Sequence, residues 1–248
     1  MGLIYKEEFT IPYSMSDVNH LANLPALLGE CISVSGRQSI ALDNSDDWVF
    51  ENYGLVWIIT DHDIQVNHLP RLYETVVIET EALAYNKFFC YRAFRVLDQE
   101  GQLLVDICSS FALLDWESRK VHPVLPEIVA CYQADFEKKL RRGPKYSTLD
   151  HFASEDYRVR FYDIDMNGHV NNGRYIEWVY EVMGFDFLSH HIPKRLQLKY
   201  SKEVSPGGLI QSRYELDGLT SQHEIVSDGQ VNAQAIVRWQ NVEEDYVS

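Results

Sequence analysis

The chain has 248 residues, 46% of them hydrophobic, and a formal net charge of −15 at neutral pH. That length and apolar content can supply one large core or two cores of about 125 residues each. The acidic balance excludes nucleic acid as a general partner, because phosphate binding is driven by Lys and Arg.

The first residues, Met1-Gly-Leu-Ile-Tyr-Lys-Glu-Glu, carry charge where a secretory signal needs an apolar run, and the sixth position lacks the Ser or Thr of a myristoylation site. No apolar run approaches the roughly 18 residues that span a bilayer, so no membrane partner is expected. Four cysteines, Cys31, Cys90, Cys108 and Cys131, form no C-x-x-C pair. They are expected as reduced, buried thiols of a cytoplasmic protein. Glu8-Phe-Thr-Ile-Pro-Tyr alternates as a strand does. A polar turn containing Asp17, Asn19 and His20 follows, and then a helix with Leu24, Leu27, Leu28, Cys31 and Ser35 on one face and Gly36 as its stop. Strands are expected over 55–63, 73–84, 88–97 and 103–115, the last two joined by the turn Asp98-Gln-Glu-Gly101.

Between the halves lie Val121-His-Pro-Val-Leu-Pro, a helical stretch over 127–140 and the basic run Arg141-Arg-Gly-Pro-Lys145. This places a boundary near residue 145, giving domains 1–145 and 146–248. The pattern then repeats. Tyr157-Arg-Val-Arg-Phe-Tyr alternates, a polar junction follows, and Tyr175, Ile176, Val179, Tyr180 and Met183 mark a helix ended by Gly184. Strands are expected over 195–202, 209–216, 221–226 and 231–239, with Ser227-Asp-Gly229 as a turn. Asp17-Val-Asn-His-Leu-Ala-Asn parallels Asp165-Met-Asn-Gly-His-Val-Asn-Asn with a short gap, and Pro70 and Pro206 fall at equivalent inter-strand positions. A long antiparallel sheet wrapped around one apolar helix, made twice, accounts for this order.

The junction at 161–178 packs Asp163, Asp165, Asn167 and His169 into seven residues. Asp163, Asp165, Asn167 and Gly168 match the first half of a calcium-binding EF-hand loop. Its twelfth position, which must supply a carboxylate, is Arg174, and a strand-like run stands where the entering helix should be. Zinc is disfavoured too: no Cys is near, and one His with two Asp is a thin ligand set. No metal and no cofactor are expected. A polar strand-to-helix turn, with Asn171 or Asn172 as a simple N-cap, explains the Asn and Gly but not the joint presence of Asp165 and His169. On residue types alone, turn and reaction centre remain equal alternatives.

The run Asp165-Met-Asn-Gly-His-Val-Asn-Asn-Gly-Arg-Tyr resembles the D-x-N-x-H-V-N-N-x-x-Y signature of the acyl-ACP thioesterases. The segment Lys199-Tyr-Ser-Lys-Glu-Val resembles the family's later E-Y-x-x-E-C, with Glu203 on its Glu. The resemblance covers nearly the whole chain. It implies an α+β fold of two tandem hotdog domains and release of free fatty acid from acyl carrier protein by a cluster of Asp165, Asn167, His169 and Glu203. Many plant members carry Cys after that Glu; here it is Val204, so the carboxylates must carry the chemistry. Either Asp165 or Glu203 serves as general base for water, or Asp165 attacks to give a mixed anhydride; the water route is preferred because it needs no second hydrolysis.

The first half is read as the degenerate copy, with Asn67 or His68 opposite Glu203. By resemblance it holds the acyl chain, which suits Trp48, Trp57, Phe88, Phe89 and Phe111. The implied partner is an acyl carrier protein, itself acidic. Lys138, Lys139, Arg141, Arg142 and Lys145 are then either a solvated linker or its docking patch. The protein is expected as a monomer (already a pseudo-dimer) or a homo-oligomer. Alternatives are a non-catalytic acyl-binding hotdog module, an acyl-CoA thioesterase and a hotdog dehydratase.

Overall fold

A computed structural model describes residues 2–165 and 168–242. In chain order the elements are β1 (Ile4–Thr10), α1 (Leu24–Ala41), α2 (Asp46–Tyr53), β2 (Leu55–Val66), β3 (Thr75–Tyr85), β4 (Cys90–Leu97), β5 (Leu103–Asp115), β6 (Val121–His122), α3 (Pro126–Val129), β7 (Asp135–Phe136), β8 (Ala153–Arg158), α4 (Asn172–Glu181), α5 (Phe185–His190), β9 (His191–Tyr200), β10 (Leu209–Asp217), β11 (Thr220–Ser227) and β12 (Gln230–Asn241). Ten strands form one path, β1-β3-β4-β5-β2-β9-β12-β11-β10-β8, with β6 on β5 and β7 on β3. The sequence order β1-β2-β3-β4-β5 therefore becomes one half-sheet, and β8-β9-β10-β11-β12 becomes the other in mirrored order. The halves meet at the antiparallel pair β2–β9, from Asp61 opposite Lys199 to Gln65 opposite Arg195. Arg195 Nε and Nη2 donate to the Asp63 carboxylate at 2.9 and 2.6 Å across this seam.

Each half-sheet wraps one central helix. In α1, Leu24, Leu27, Leu28, Cys31, Val34 and Ser35 recur at three- and four-residue steps and are buried, as a core-facing stripe requires. In α4, Tyr175, Ile176, Trp178 and Val179 are buried. Both helices start at an Asn cap. Asn23 Oδ1 accepts from Ala26 N–H at 2.9 Å, and Asn171 Oδ1 accepts from Gly173 N–H at 2.9 Å.

The structure departs from the expected elements at several places. Helix α1 passes through Gly36 and runs to Ala41. An interior glycine costs about 1 kcal/mol, but the added turns place buried polar groups against partners. Gln38 donates to Leu3 O at 2.9 Å and accepts from Arg92 at 2.6 Å, and Ser39 Oγ lies 2.7 Å from Tyr132 Oη. The helical stretch over 127–140 shrinks to α3 and one 3-10 turn over Ala130–Tyr132. Gln133, at φ 56°, stops it, and β7 then adds to β3. Helix α2 is a further element, capped by Ser45 Oγ on Trp48 N–H and closed by Gly54 at φ 65°. Of the alternating run at 157–162 only the first two residues are strand: β8 ends at Arg158, and a 3-10 turn, Phe161–Asp163, leads into the polar junction. Tyr73 has a φ of 66°, so β3 begins two residues later than expected. Asn86 Oδ1 accepts from both Phe88 and Phe89 N–H at 3.0 Å, which makes that segment a turn and starts β4 at Cys90.

Candidate active site

The polar junction is built by its own backbone. Asp165 N–H donates to His169 O at 2.8 Å, and Gly168 N–H donates to Asp165 O at 3.0 Å. Asp165 Oδ1 accepts from His169 N–H at 3.1 Å. Ile164 and Val170 form an antiparallel bridge at the neck of this loop. Gly168 takes a φ of 80°, a backbone that favours glycine.

Below the loop, Asp163 is almost fully buried. Its carboxylate accepts from Arg160 N–H at 2.7 Å and pairs with Arg174 Nε at 3.3 Å, while its carbonyl accepts from Asn171 N–H at 2.8 Å. The residue that would be first in an EF-hand loop is thus occupied as the anchor that ties the loop to α4. Among the described residues, no group of three or more His, Cys, Asp or Glu side chains is arranged to hold a metal ion.

Glu203 lies just past β9. Asn232 Nδ2 donates to its carbonyl at 3.1 Å, and the next N–H, that of buried Val204, donates to Tyr175 Oη at 3.2 Å. Burial holds the Tyr175 hydroxyl up at about 12, so it stays protonated at neutral pH. These contacts fix the Glu203 backbone to α4 and β12 and leave its carboxylate half exposed. Glu203 Oε1 comes within 3.7 Å of His169 Nε2. Of the four residues expected at the site, three are described, and the structure brings His169 together with both Asp165 and Glu203. Asn167 lies outside the described residues.

A fifth group completes the cluster and was not anticipated from the sequence. Arg119 sits in the turn between β5 and β6, in the first half of the chain. Its Nη2 lies 2.5 Å from Glu203 Oε1 and 3.2 Å from His169 Nε2. Guanidinium only donates, so a hydrogen bond at this contact requires Nε2 as the acceptor. No local pattern links Asp115-Trp-Glu-Ser-Arg-Lys to a residue 84 positions away; the one local clue is a polar hairpin turn.

The corresponding loop in the first half has the same bonds. Asp17 N–H donates to Leu21 O at 2.9 Å, Asp17 Oδ1 accepts from Leu21 N–H at 3.1 Å, and Ser16 bridges Ala22. The register is therefore gapless, not shifted by a short gap. Leu21 stands opposite His169, and His20, at φ 60°, stands opposite Gly168. Past the seam strand, Asn67 and His68 N–H both donate to Leu104 O, as Ser201 and Lys202 N–H both donate to Asn232 O. This makes Leu69 the counterpart of Glu203, in place of Asn67 or His68. It also sets Pro70 opposite Val204, so Pro70 and Pro206 are two positions out of register.

A cavity of about 110 Å³ lies in the first half between α1 and its sheet, lined by Ile32, Trp57, Ala82, Ala84, Cys90 and Phe111 among others. Of the aromatic residues expected around an acyl chain, Trp57 and Phe111 line it. Trp48 packs instead in a satellite cluster with Val49, Leu55 and Leu113, and Phe88 and Phe89 lie on the turn before β4. All four cysteines are free, and burial pushes each thiol above its ordinary value, Cys90 to about 12. None is poised as a thiolate.

Comparison with known proteins agrees with this architecture. Residues 2–132 match the acyl-ACP thioesterase N-terminal domain, and residues 146–241 match the acyl-ACP thioesterase C-terminal domain. A crystal structure from Lactobacillus plantarum, described provisionally as an oleoyl thioesterase, superposes with a TM-score of 0.92 at 30% identity and covers 98% of both chains. The 12:0-ACP thioesterase from Umbellularia californica shares the fold, with a TM-score of 0.83 at 18% identity over 98% of this chain and 99% of that one. Among curated sequences, oleoyl-acyl carrier protein thioesterase 2 of Arabidopsis thaliana, a chloroplastic protein, is 22% identical over 91% of this chain and 66% of its own length. For an acyl-ACP hydrolase of Cuphea viscosissima the share of the relative's length is 56%, so the chain spans a little over half to two thirds of these plant relatives. With family models matching both halves in order, on a double hotdog fold, the chain belongs to the acyl-ACP thioesterase family.

Proposed function

We propose that the protein hydrolyses the thioester of a fatty acyl-ACP to free fatty acid and carrier protein, using the cluster of Asp165, Asn167, His169 and Glu203. The observation that carries this reading is the convergence of His169 and Glu203 at 3.7 Å, with the carboxylate of Asp165 bound to the His169 backbone. A water oxygen adds to the carbonyl carbon while its proton passes to the Glu203 carboxylate. The oxyanion forms near the start of α4, where the helix dipole favours negative charge. The C–S bond then breaks, and the proton returns to the departing thiolate. Raised thiol pKa values and Val204 after Glu203 leave a cysteine nucleophile without support.

The acyl chain is assigned to the cavity lined by Trp57 and Phe111, in a first domain spanning 1–145; the reacting cluster belongs to a second, 146–248. No helix among the described residues is long and apolar enough to cross a membrane. The four free thiols suit a reducing compartment such as the cytoplasm.

Incubating the purified protein with acyl-ACP, acyl-CoA and a 3-hydroxyacyl thioester tests this. Free fatty acid from acyl-ACP is expected. Release from acyl-CoA alone would make it a CoA thioesterase, dehydration without hydrolysis a dehydratase, and binding without turnover an acyl-binding module.

A further inference from the structure

The contact of Arg119 with both His169 and Glu203 joins the two halves at the reacting cluster. We infer that Arg119 is a positioning residue: it reaches from the first hotdog domain, bridges His169 to Glu203, and holds His169 as the Nδ1–H tautomer by donating to Nε2, beside the Glu203 carboxylate. This rests on the hydrolase reading of the same site.

The turn that presents Arg119 is built to hold it still. Asp115 N–H donates to Lys120 O and Arg119 N–H to Asp115 O, both at 2.9 Å. Asp115 Oδ1 accepts from Ser118 N–H at 2.8 Å, and hydrogen bonding from Ser118, its side chain first and its N–H second, holds the Asp115 carboxyl below its usual range. Arg119 itself has a φ of 55°, a backbone that few non-glycine residues adopt. Trp116 N–H donates to Gly54 O at 3.0 Å, and its ring packs edge-on against Phe50 of α2 with centroids 5.8 Å apart. The Arg119 guanidinium lies 5.7 Å from the Trp116 ring centre, a cation–π distance. Helix α2 thus braces the hairpin, the hairpin aims the arginine, and the arginine crosses into the other domain.

The two acceptors are unlike. Glu203 is an anion that any cation would attract. His169 Nε2 can accept only while that nitrogen is unprotonated. One nitrogen, Nη2, touches both, so the pair is fixed at the separation of its bridge. A degenerate first half also gains a reason to be present: without its hairpin the cluster loses the group that selects the tautomer.

The test compares Arg119→Gln and Arg119→Lys with wild type on acyl-ACP and on an acyl-N-acetylcysteamine thioester, which lacks the carrier and its phosphate. Misplacement of reacting groups by about 1 Å costs on the order of 10²-fold. Arg119→Gln is therefore expected to lower kcat by about ten- to a hundredfold on both substrates with KM little changed. Arg119→Lys should recover part of the loss, and millimolar guanidinium should partly rescue Arg119→Gln. A rise in KM confined to acyl-ACP, with kcat intact, would overturn the inference and make Arg119 a carrier contact; unchanged kinetics would also overturn it. In ¹⁵N-histidine NMR of the resting protein, wild-type His169 should be the Nδ1–H tautomer and the Gln variant a mixture. That readout needs no turnover: if wild type hydrolyses no thioester, the hydrolase reading fails on its own, while an unchanged tautomer in Arg119→Gln overturns the inference regardless.

Discussion

The Asp17 and Asp165 loops share a backbone and differ in chemistry. Each is an Asp whose N–H and side chain both bind the residue four positions on, followed by an Asn-capped central helix. In the second half that residue is His169, and Glu203 faces it from beyond the seam strand. In the first half the same two positions are Leu21 and Leu69, both buried. The hotdog frame therefore fixes the loop whether or not it carries a reaction, and in the proposed mechanism the side chains at these two positions decide which half can act on a thioester. Asp17, Asn19 and His20 resemble an active site in the sequence, yet His20 occupies the left-handed position held by Gly168 and not that of the imidazole.

The largest effect should come from making the second loop like the first. His169→Leu or Glu203→Leu is expected to lower kcat on acyl-ACP by about 10²–10⁴-fold, the usual worth of a positioned acid or base, with the melting temperature nearly unchanged because both side chains are partly exposed. A kcat within twofold of wild type would break the comparison.

The reverse exchange should act on stability and not on activity. Leu69→Glu places a carboxylate in a site that is 4% exposed and is expected to cost about 3 kcal/mol in chemical denaturation, without a second active site. If Leu21→His with Leu69→Glu raised turnover in a His169→Leu background, the first half would be a latent site and not a degenerate one.

A narrower contrast concerns the acyl chain. Ala84→Leu fills the first-half cavity and should lower kcat/KM for the longest accepted chains on the order of tenfold while sparing short ones. An unchanged chain-length profile would move the acyl site out of the first half.

Two buried histidines sharpen the comparison through pH. His62 Nδ1 lies 2.7 Å from Ser109 Oγ, and His223 Nε2 lies 2.7 Å from Ser221 Oγ; burial pulls both down to about 3 from 6.5. Each is neutral in the fold and protonates first in the unfolded chain. The stability they contribute is full above about pH 6.5 and is lost as pH falls toward 3, by up to about 1.4 kcal/mol per pH unit each. His62→Gln should flatten the acid side of the stability curve; an unaltered slope would contradict the buried neutral state.

The smallest effect is expected at the carrier surface. Arg141 donates to Glu137 at 2.7 Å and lies over the Tyr91 ring, so it is tied to the fold. Lys138, Lys139 and Arg142 are exposed. Reversing these three to Glu should raise KM for acyl-ACP a few-fold at low salt and leave a small acyl thioester unaffected. Equal KM values for wild type and variant would place docking elsewhere.

The two central helices, the hairpin turns and the Asp165 motif were legible because each rests on local spacing or turn chemistry. Gly36 misled because the reward for continuing α1, the bonds of Gln38 and Ser39, comes from residues far away in sequence. Helix α2 had its signals in Ser45, Asp46, Asp47 and Gly54, but its apolar face is short. The stretch after Pro126 carries helix-forming residues, yet pairing of β7 with β3 decides its backbone. Glu203 was reached by resemblance to a motif. Arg119 was out of reach, since its role exists only once β5 and β6 bring the first half against the second.

The most direct test is the initial rate of fatty-acid release from acyl-ACP by wild type beside His169→Leu, with folding of both checked by circular dichroism. Rapid release by wild type and a loss of at least about a hundredfold in the folded variant is the predicted result. Equal rates in the two proteins would contradict a reaction centre in the Asp165–His169 loop.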